Sequence, residues 1–445
     1  MERAVPFCFV LIVFLLALSP GLPAQESTPA PPTAQPAQQT PPPEEKKETT
    51  GYTLSPEKHE KAVAYARSRY WLYFIGFAYG LLVLYVVLRA RLAPRFRDWA
   101  ESASRARFVQ ALVYVPVLTL VLAVLSLPTD LYGQWLSLQY EQSIQSWGSW
   151  FWDWTKGQLI GTLIFTVLIW ILYTAIRRSP RRWWFYFWLA ALPILLFLIF
   201  IDPLIIQPLF FKFKPLQETQ PGLVAEISRV VGRGGLDIPP ARMFEMNASE
   251  KLNSLNAYVA GFGASKRVVI WDTTIQKMNA PQILFVFGHE MGHYVLYHLP
   301  KFFIFLSGSL LIFLYLGYRG VHWMLARWGV HCSVRGVEDW ASLPAILFFI
   351  SLCTFLFSPV TNTFGRSIEH EADTYGLEVV HGIVPDAPRV AAESFQILGE
   401  ISLDDPNPSE FIRIWLYGHP PISERVVFAQ QYDPWSKGES PRFVK

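Results

Sequence analysis

The sequence of 445 residues has few cysteines, and their positions exclude two kinds of site. Cys8, Cys332 and Cys353 are far apart, so no disulfide framework and no paired-cysteine metal knuckle can be built from them. A metal ion would therefore have to be held by histidine and carboxylate side chains. The net charge of +3 is too small to indicate a nucleic-acid partner, and no basic stripe with interleaved aromatic residues is present.

Charged side chains are also scarce, at 16% of the sequence against about a quarter in an ordinary soluble domain. Hydrophobic residues make up 52%, and six runs approach the length of about 20 apolar residues that a bilayer crossing needs. These runs are residues 71–88, 108–127, 159–176, 183–201, 302–318 and 343–360. Aromatic and basic residues at their ends are typical of membrane interfaces. Six such runs predict a multi-pass membrane protein rather than the core helices of a soluble one.

The first fifty residues form two segments that we expect to lie outside the folded part. Residues 1–24 have a short apolar stretch after Arg3 and a candidate cleavage point at Ala24. They are interpreted either as a signal peptide or as a first, retained membrane helix. Residues 25–50 are rich in Pro, Gln and Thr, cannot bury a core, and are predicted to be a disordered linker.

A polar stretch, residues 202–301, separates the fourth and fifth apolar runs. Helical periodicity at 223–231 ends in a glycine cluster, and three short strands are predicted within 241–247, 256–263 and 267–272. Pro281 is suited to the first turn of a helix that continues to residue 298. This pattern predicts a small α+β domain whose last helix leads into the membrane.

That last helix contains the sequence FGHEMGHYVLYH, residues 287–298. His289 and His293 are four residues apart and therefore share one helix face, so both can bind the same Zn²⁺. Glu290 lies one step round the helix, where it can take a proton from a water molecule that attacks a carbonyl. The H-E-x-x-H spacing thus predicts one zinc ion per chain and peptide-bond hydrolysis.

A catalytic zinc ion needs a third protein ligand. The extended metzincin pattern is excluded, because Leu299 stands where it requires histidine. The better candidate is RSIEHEADTYG, residues 366–376, directly after the sixth apolar run. Glu369 and Asp373 are four residues apart there, so one could bind the metal while the other orients a ligating histidine. The spacing alone does not decide between them.

Taken together, GHEMGHYVLYH, EHEAD, NAYVAGFGASKRVVIWDT and HPPISERV resemble the integral-membrane zinc metallopeptidases. This group includes the type I CAAX prenyl proteases and the heat-shock-type membrane proteases of bacteria. The resemblance covers most of residues 51–430, and the four apolar runs before the motif favour the CAAX prenyl protease type.

The resemblance implies roles for residues that spacing leaves undecided. It makes Glu369 the third zinc ligand and Asp373 the residue that orients a ligating histidine. His370 and Glu371 are then left without a role. His298, five residues after His293, is expected not to bind the metal.

The resemblance also implies two elements around the cleft. An edge strand at Asn256, Ala257 and Tyr258 would bind an extended substrate through its backbone. His419 and Arg425, in the C-terminal GHPPISERV, would approach the substrate carbonyl as catalytic residues.

The expected fold is predominantly α, a polytopic membrane helix barrel around a chamber, with a small α+β zincin-like catalytic domain. The predicted domains are a four-span region at 51–201, a zinc peptidase domain at 202–301, two spans at 302–360, and the third-ligand helix with the C-terminal part at 361–445. The family commonly has seven spans, which this chain reaches only if residues 1–24 remain attached.

Arginines are concentrated in alternate loops, which bears on sidedness. They are Arg89, Arg91, Arg95, Arg97, Arg105 and Arg107, then Arg177, Arg178, Arg181 and Arg182, and finally Arg319, Arg327 and Arg335. The positive-inside rule places these loops in the cytoplasm and residues 202–301 and 361–445 outside. CAAX prenyl proteases, in contrast, act on the cytosolic face.

The sequence therefore predicts a zinc metalloendopeptidase of the cell (inner) membrane that acts on peptide or protein substrates, prenylated or membrane-associated. The alternatives are a broad-specificity protease for membrane-protein quality control and a non-catalytic transporter or scaffold. A transporter would be expected to carry charged residues within its spans, and the six apolar runs have almost none.

Overall fold

The structure is a computed structural model that describes residues 51–261 and 266–444. The predicted signal peptide or first helix and the predicted linker lie outside these residues. Helices dominate: α1 Pro56–Arg89, α2 Leu92–Ala103, α3 Arg107–Gln139, α4 Trp147–Arg178, α5 Trp183–Ile201, α6 Leu216–Thr219, α7 Pro221–Arg233, α8 Asp272–Lys277, α9 Ala280–Val295, α10 His298–Trp328, α11 Leu343–Val380, α12 Ala387–Ser402, α13 Glu410–Leu416 and α14 Ile422–Gln431. The strands are β1 Phe213–Pro215, β2 Met243–Met246, β3 Ala257–Ala260 and β4 Arg267–Trp271.

Among the described residues, six helices are long and apolar enough to cross a membrane, and each contains one of the six predicted runs. They are α1, α3, α4, α5, α10 and α11. They share a core in which Leu84, Tyr114, Tyr173 and Trp340 are almost completely buried. Large apolar side chains such as Leu163 face outwards, as a lipid-facing surface requires.

The arginine-rich loops meet at one end of this bundle. Arg97 forms a buried ion pair with Asp339 at 2.7 Å, and Arg335 pairs with Glu101 at 2.9 Å. Helix α10 runs from the α+β domain to this end over 31 residues, about 46 Å at 1.5 Å per residue. The arginines and the H-E-x-x-H sequence are therefore separated by the length of a membrane crossing.

The α+β domain between the fourth and fifth spans contains a four-stranded sheet in the order β1-β2-β4-β3. β2 and β4 are parallel, whereas β1 and β3 pair antiparallel with their neighbours. The three predicted strands are β2, β3 and β4, and β3 lies at an edge as the resemblance implies. β1 was not predicted, because its three residues, one of them a proline, have no readable alternation.

Two predicted helix boundaries differ from the structure. The helix with the two histidines does not continue through residue 298 but ends at Val295, and Tyr297 adopts a left-handed conformation with φ 56° before α10 begins. The sixth run and the third-ligand segment, which the sequence divides at residue 360, form the single continuous helix α11. Pro359 lies inside α11 without ending it.

Candidate metal centre

Helix α9 is well determined by its own sequence. Asn279 caps its first turn and exchanges hydrogen bonds with Gln282, and Pro281 occupies a first-turn position that needs no amide hydrogen. Most of the helix is buried in the hydrophobic core of the α+β domain. The histidines are thereby held one turn apart on a helix that cannot easily rotate.

Helix α11 approaches α9 unusually closely at two glycines. A Cβ atom on Gly376 would lie 3.0 Å from the backbone nitrogen of His289, and one on Gly288 would lie 2.8 Å from Val379 Cγ1. Glycine removes both obstacles. The close packing brings Glu369 and Asp373 of α11 beside the histidines of α9.

The metal-binding groups of three residues form a small triangle between these helices, with one atom from each residue within 4.8 Å of the others. His293 Nε2 lies 3.2 Å from His289 Nε2, while Glu369 Oε2 is 3.3 Å from His289 Nε2 and Oε1 is 3.4 Å from His293 Nε2. Tetrahedral zinc with bonds of about 2.05 Å places its ligand atoms about 3.3 Å apart. Glu369 Oε2 is buried and makes no hydrogen bond. The three residues therefore fit a zinc ion.

The electrostatic surroundings also favour a cation. Burial lowers the pKa of His289, but the carboxylates of Asp373 and Glu369 more than reverse this and raise it to about 10. His289 Nδ1 lies 2.8 Å from Asp373 Oδ1, which fixes the ring with Nε2 towards the triangle. Arg425 in turn donates from Nε to Asp373 Oδ2 at 2.9 Å.

Glu290 lies beside the triangle without belonging to it. Its Oε1 is 4.0 Å from His289 Nε2. Burial raises the pKa of Glu290 to about 7, which is the range in which a general base works best near neutral pH. The carboxylate can therefore accept and return a proton.

His419 and Arg425 reach the same place from the C-terminal part. His419 Nε2 lies 3.3 Å from Glu369 Oε1 and the side chain is half exposed. Its loop is held on α11 by Arg366, which donates to Tyr417 O at 2.6 Å. Arg425 is buried, and its Nη2 lies 3.9 Å from Glu369 Oε2.

The edge strand β3 contacts α9. The backbone of Asn256 is not free for a substrate, because its N–H donates to Thr274 Oγ1 and its carbonyl oxygen accepts from the backbone N–H of Trp271. Since backbone groups alternate along an antiparallel pair, those of Ala257 and Val259 point away from β4. Ala257 is fully buried there, whereas Val259 is partly exposed. Tyr258 faces elsewhere and donates its hydroxyl to Gln207.

The structure also brings together two side chains to which the resemblance gave no role. His298 lies next to His293, and Glu371 lies next to His298. The sequence predicted one continuous helix through His293 and His298. Residues five apart on such a helix lie about 140° apart around its axis, so the contact between these two histidines could not be predicted.

Two family models match the chain. Residues 35–212 match the CAAX prenyl protease N-terminal model, described as five membrane helices, and residues 217–433 match the model of peptidase family M48.

Several known proteins are similar along most of the chain. An uncharacterized metalloprotease of Bacillus subtilis, YhfN, is 35% identical over 85% of this chain and 87% of its own length. CAAX prenyl protease 1 homologs of Oryza sativa and Homo sapiens are 26% and 24% identical, over 85% and 76% of this chain and 89% and 77% of their own lengths.

The crystal structure of S. mikatae Ste24p has the same fold, with a TM-score of 0.73 at 18% identity, and the match covers 97% of this chain and 100% of that one. The similarity to YhfN extends through both the membrane helices and the peptidase domain. The chain therefore belongs to peptidase family M48 and is a membrane metalloprotease.

Proposed function

We propose that this protein is a zinc-dependent endopeptidase in which His289, His293 and Glu369 hold one zinc ion. The observation that carries the proposal is the triangle of these three residues, in which the two Nε2 atoms lie 3.2 Å apart and each lies 3.3 to 3.4 Å from one oxygen of Glu369. A zinc ion there would act as a Lewis acid and make water a stronger nucleophile at neutral pH.

The remaining chemistry is assigned to side chains around the triangle. Glu290 accepts the proton of the attacking water and returns it to the leaving amine. His419, half exposed and close to Glu369, donates a hydrogen bond to the carbonyl oxygen as negative charge develops on it. Arg425 is buried against Asp373, which supports a role in holding Asp373 rather than in touching substrate.

An extended substrate is proposed to pair with the open edge of β3. The backbone groups of Val259, which is partly exposed, are available for this pairing, whereas those of Asn256 are bonded and Ala257 is fully buried. Binding through the backbone places few demands on substrate side chains. This favours a peptidase that accepts many sequences.

The active site is proposed to lie outside the cytoplasm, in the cell membrane. The arginine-rich loops cluster at the end of the bundle opposite the H-E-x-x-H sequence, and such loops stay in the cytoplasm. Exported or membrane-associated polypeptides would then be the substrates.

Sidedness can be measured with an impermeant maleimide on intact cells. A cysteine replacing the exposed Lys437, in a background without native cysteines, is expected to be labelled. The matched replacement of Arg178, exposed at the arginine-rich end, is expected to be labelled only after lysis. The reverse pattern would place the active site in the cytoplasm.

Processing of prenylated proteins is the second candidate. It is favoured by the match of residues 35–212 to the CAAX prenyl protease N-terminal model. Prenylation is a cytosolic modification, so this function would require the opposite orientation.

A pair of peptides separates the two functions. The purified protein in detergent is given a farnesylated CAAX peptide and its unprenylated twin, with Glu290→Gln as the blank. Equal cleavage of both peptides by the wild type is expected. A strong preference for the farnesylated peptide would establish the second candidate, and cleavage no faster than the blank would reject both substrates.

A further inference from the structure

The face of His293 that points away from the ligand triangle is backed by a second histidine. His298 Nδ1 lies 3.0 Å from His293 Nδ1, and the two rings are nearly perpendicular at 72°. His298 is only 2% exposed, so water does not compete for this contact. Because Nδ1 and Nε2 are on different sides of the imidazole ring, His298 meets the outer side of His293 and does not join the triangle.

The other nitrogen of His298 is held by a carboxylate. His298 Nε2 lies 3.1 Å from Glu371 Oε2. Lys301 Nζ lies 3.0 Å from the same oxygen, and an Arg442 nitrogen lies 3.6 Å from Oε1. These two cations stabilise the charged form of Glu371 and restrict its position.

These contacts allow one arrangement of protons when Nε2 of His293 binds a metal. The proton of His293 must then be on Nδ1, from which it is donated to His298 Nδ1. His298 Nδ1 is therefore unprotonated, so the ring carries its proton on Nε2 and donates it to Glu371. Each nitrogen in the series has a partner of the correct type.

The two ligating histidines thus have different supports. His289 contacts the carboxylate of Asp373 directly, whereas His293 reaches the carboxylate of Glu371 through His298. We infer that His298 and Glu371 are positioning residues that fix the tautomer and the ring orientation of His293. The inference rests on the proposed function, because it takes His293 to be a zinc ligand.

The test measures how fast zinc leaves the purified full-length protein for a chromogenic chelator. Loss of such a supporting contact weakens metal binding by about 10–100-fold, so His298→Ala is expected to release zinc faster by that factor. The matched control is His322→Ala, an exposed histidine on the same helix, which is expected to behave as wild type.

Two conservative variants separate positioning from packing. The side-chain oxygen of His298→Asn can take the place of Nδ1 and accept from His293, so this variant is expected to regain most of the zinc retention. His298→Gln places its amide near the position of Nε2 and is expected not to regain it. Glu371→Ala should release zinc faster than wild type, whereas its neighbour His370→Ala should not.

Several outcomes would overturn the inference. The first is that His298→Ala retains zinc as well as the wild type. The second is that the Ala, Asn and Gln variants at this position all release zinc equally fast and their metal-free forms have a lowered Tm, which would indicate that His298 contributes only packing. If the wild type binds zinc and cleaves peptide, and His298→Ala does both equally well, only this inference is rejected. A wild-type protein that takes up no zinc would reject the proposed function as well.

Discussion

At the scale of single residues, the H-E-x-x-H spacing was enough to predict that His289 and His293 lie side by side, because a helix places residues four apart on one face. The proposed third ligand could not be chosen in this way. Glu369 and Asp373 are also four apart, and only the packing of α11 on α9 brings Glu369 towards both Nε2 atoms and Asp373 towards Nδ1 of His289. The spacing of residues along one helix does not tell which of their side chains will contact a given residue on another helix.

Asp404 gives a prediction that depends on pH. Burial raises the pKa of Asp404 to about 6, although it also accepts a hydrogen bond from the Tyr417 hydroxyl at 3.3 Å. The folded protein therefore binds this proton more tightly than the unfolded chain, and the free energy of unfolding falls as pH rises from about 4 to about 6. Above that range the charged form costs about 2 kcal/mol, reduced for partial exposure.

Replacing the carboxyl by an amide removes this cost and keeps an oxygen for Tyr417. Asp404→Asn is expected to have a higher Tm than wild type at pH 7.5 and a nearly equal Tm at pH 4, measured by thermal unfolding in detergent. A lower Tm of the variant at pH 7.5 would show that the charged carboxylate is stabilising.

At the scale of elements, the spans and the three longer strands were predictable because their patterns extend over many residues. The break between α9 and α10 was not, because it depends on one residue. Tyr297 is 71% exposed and adopts φ 56°, a conformation that favours glycine over tyrosine. This turn redirects the chain so that His298 lies behind His293.

The break can be tested with two substitutions at Tyr297. Glycine relieves about 1–2 kcal/mol of left-handed strain but loses about 0.5–1 kcal/mol more conformational entropy on folding. Tyr297→Gly is therefore expected to stabilise the protein by about 0.5–1 kcal/mol and leave zinc retention unchanged. Valine resists the left-handed conformation, so Tyr297→Val is expected to destabilise it and release zinc faster. Thermal unfolding and zinc release would both be measured, and a harmless valine substitution would show that the left-handed turn is not needed.

At the scale of the whole molecule, the fold places one end of the membrane bundle at the arginine-rich loops and the other at the peptidase domain. Helices α10 and α11 connect the two ends, and each carries part of the site: His298 is at the start of α10, and Glu369 is near the end of α11. The composition predicted a membrane protein and the motif predicted a peptidase. The sequence also predicted that the histidine helix leads into the fifth span, but not that the sixth span and the segment of Glu369 form one helix, because this depends on α11 continuing past Pro359.

The central claim is that zinc at His289, His293 and Glu369 works with Glu290 as the base. The most direct measurement is the zinc content and the peptidase activity of the wild type, Glu290→Gln and Glu369→Ala, purified in parallel, with Glu338→Gln at the arginine-rich end as a control. We expect one zinc per chain in the wild type, retained in Glu290→Gln while activity falls by about 10²–10⁴-fold, and loss of both in Glu369→Ala. Wild-type activity in Glu290→Gln, or in zinc-free protein, would contradict the account.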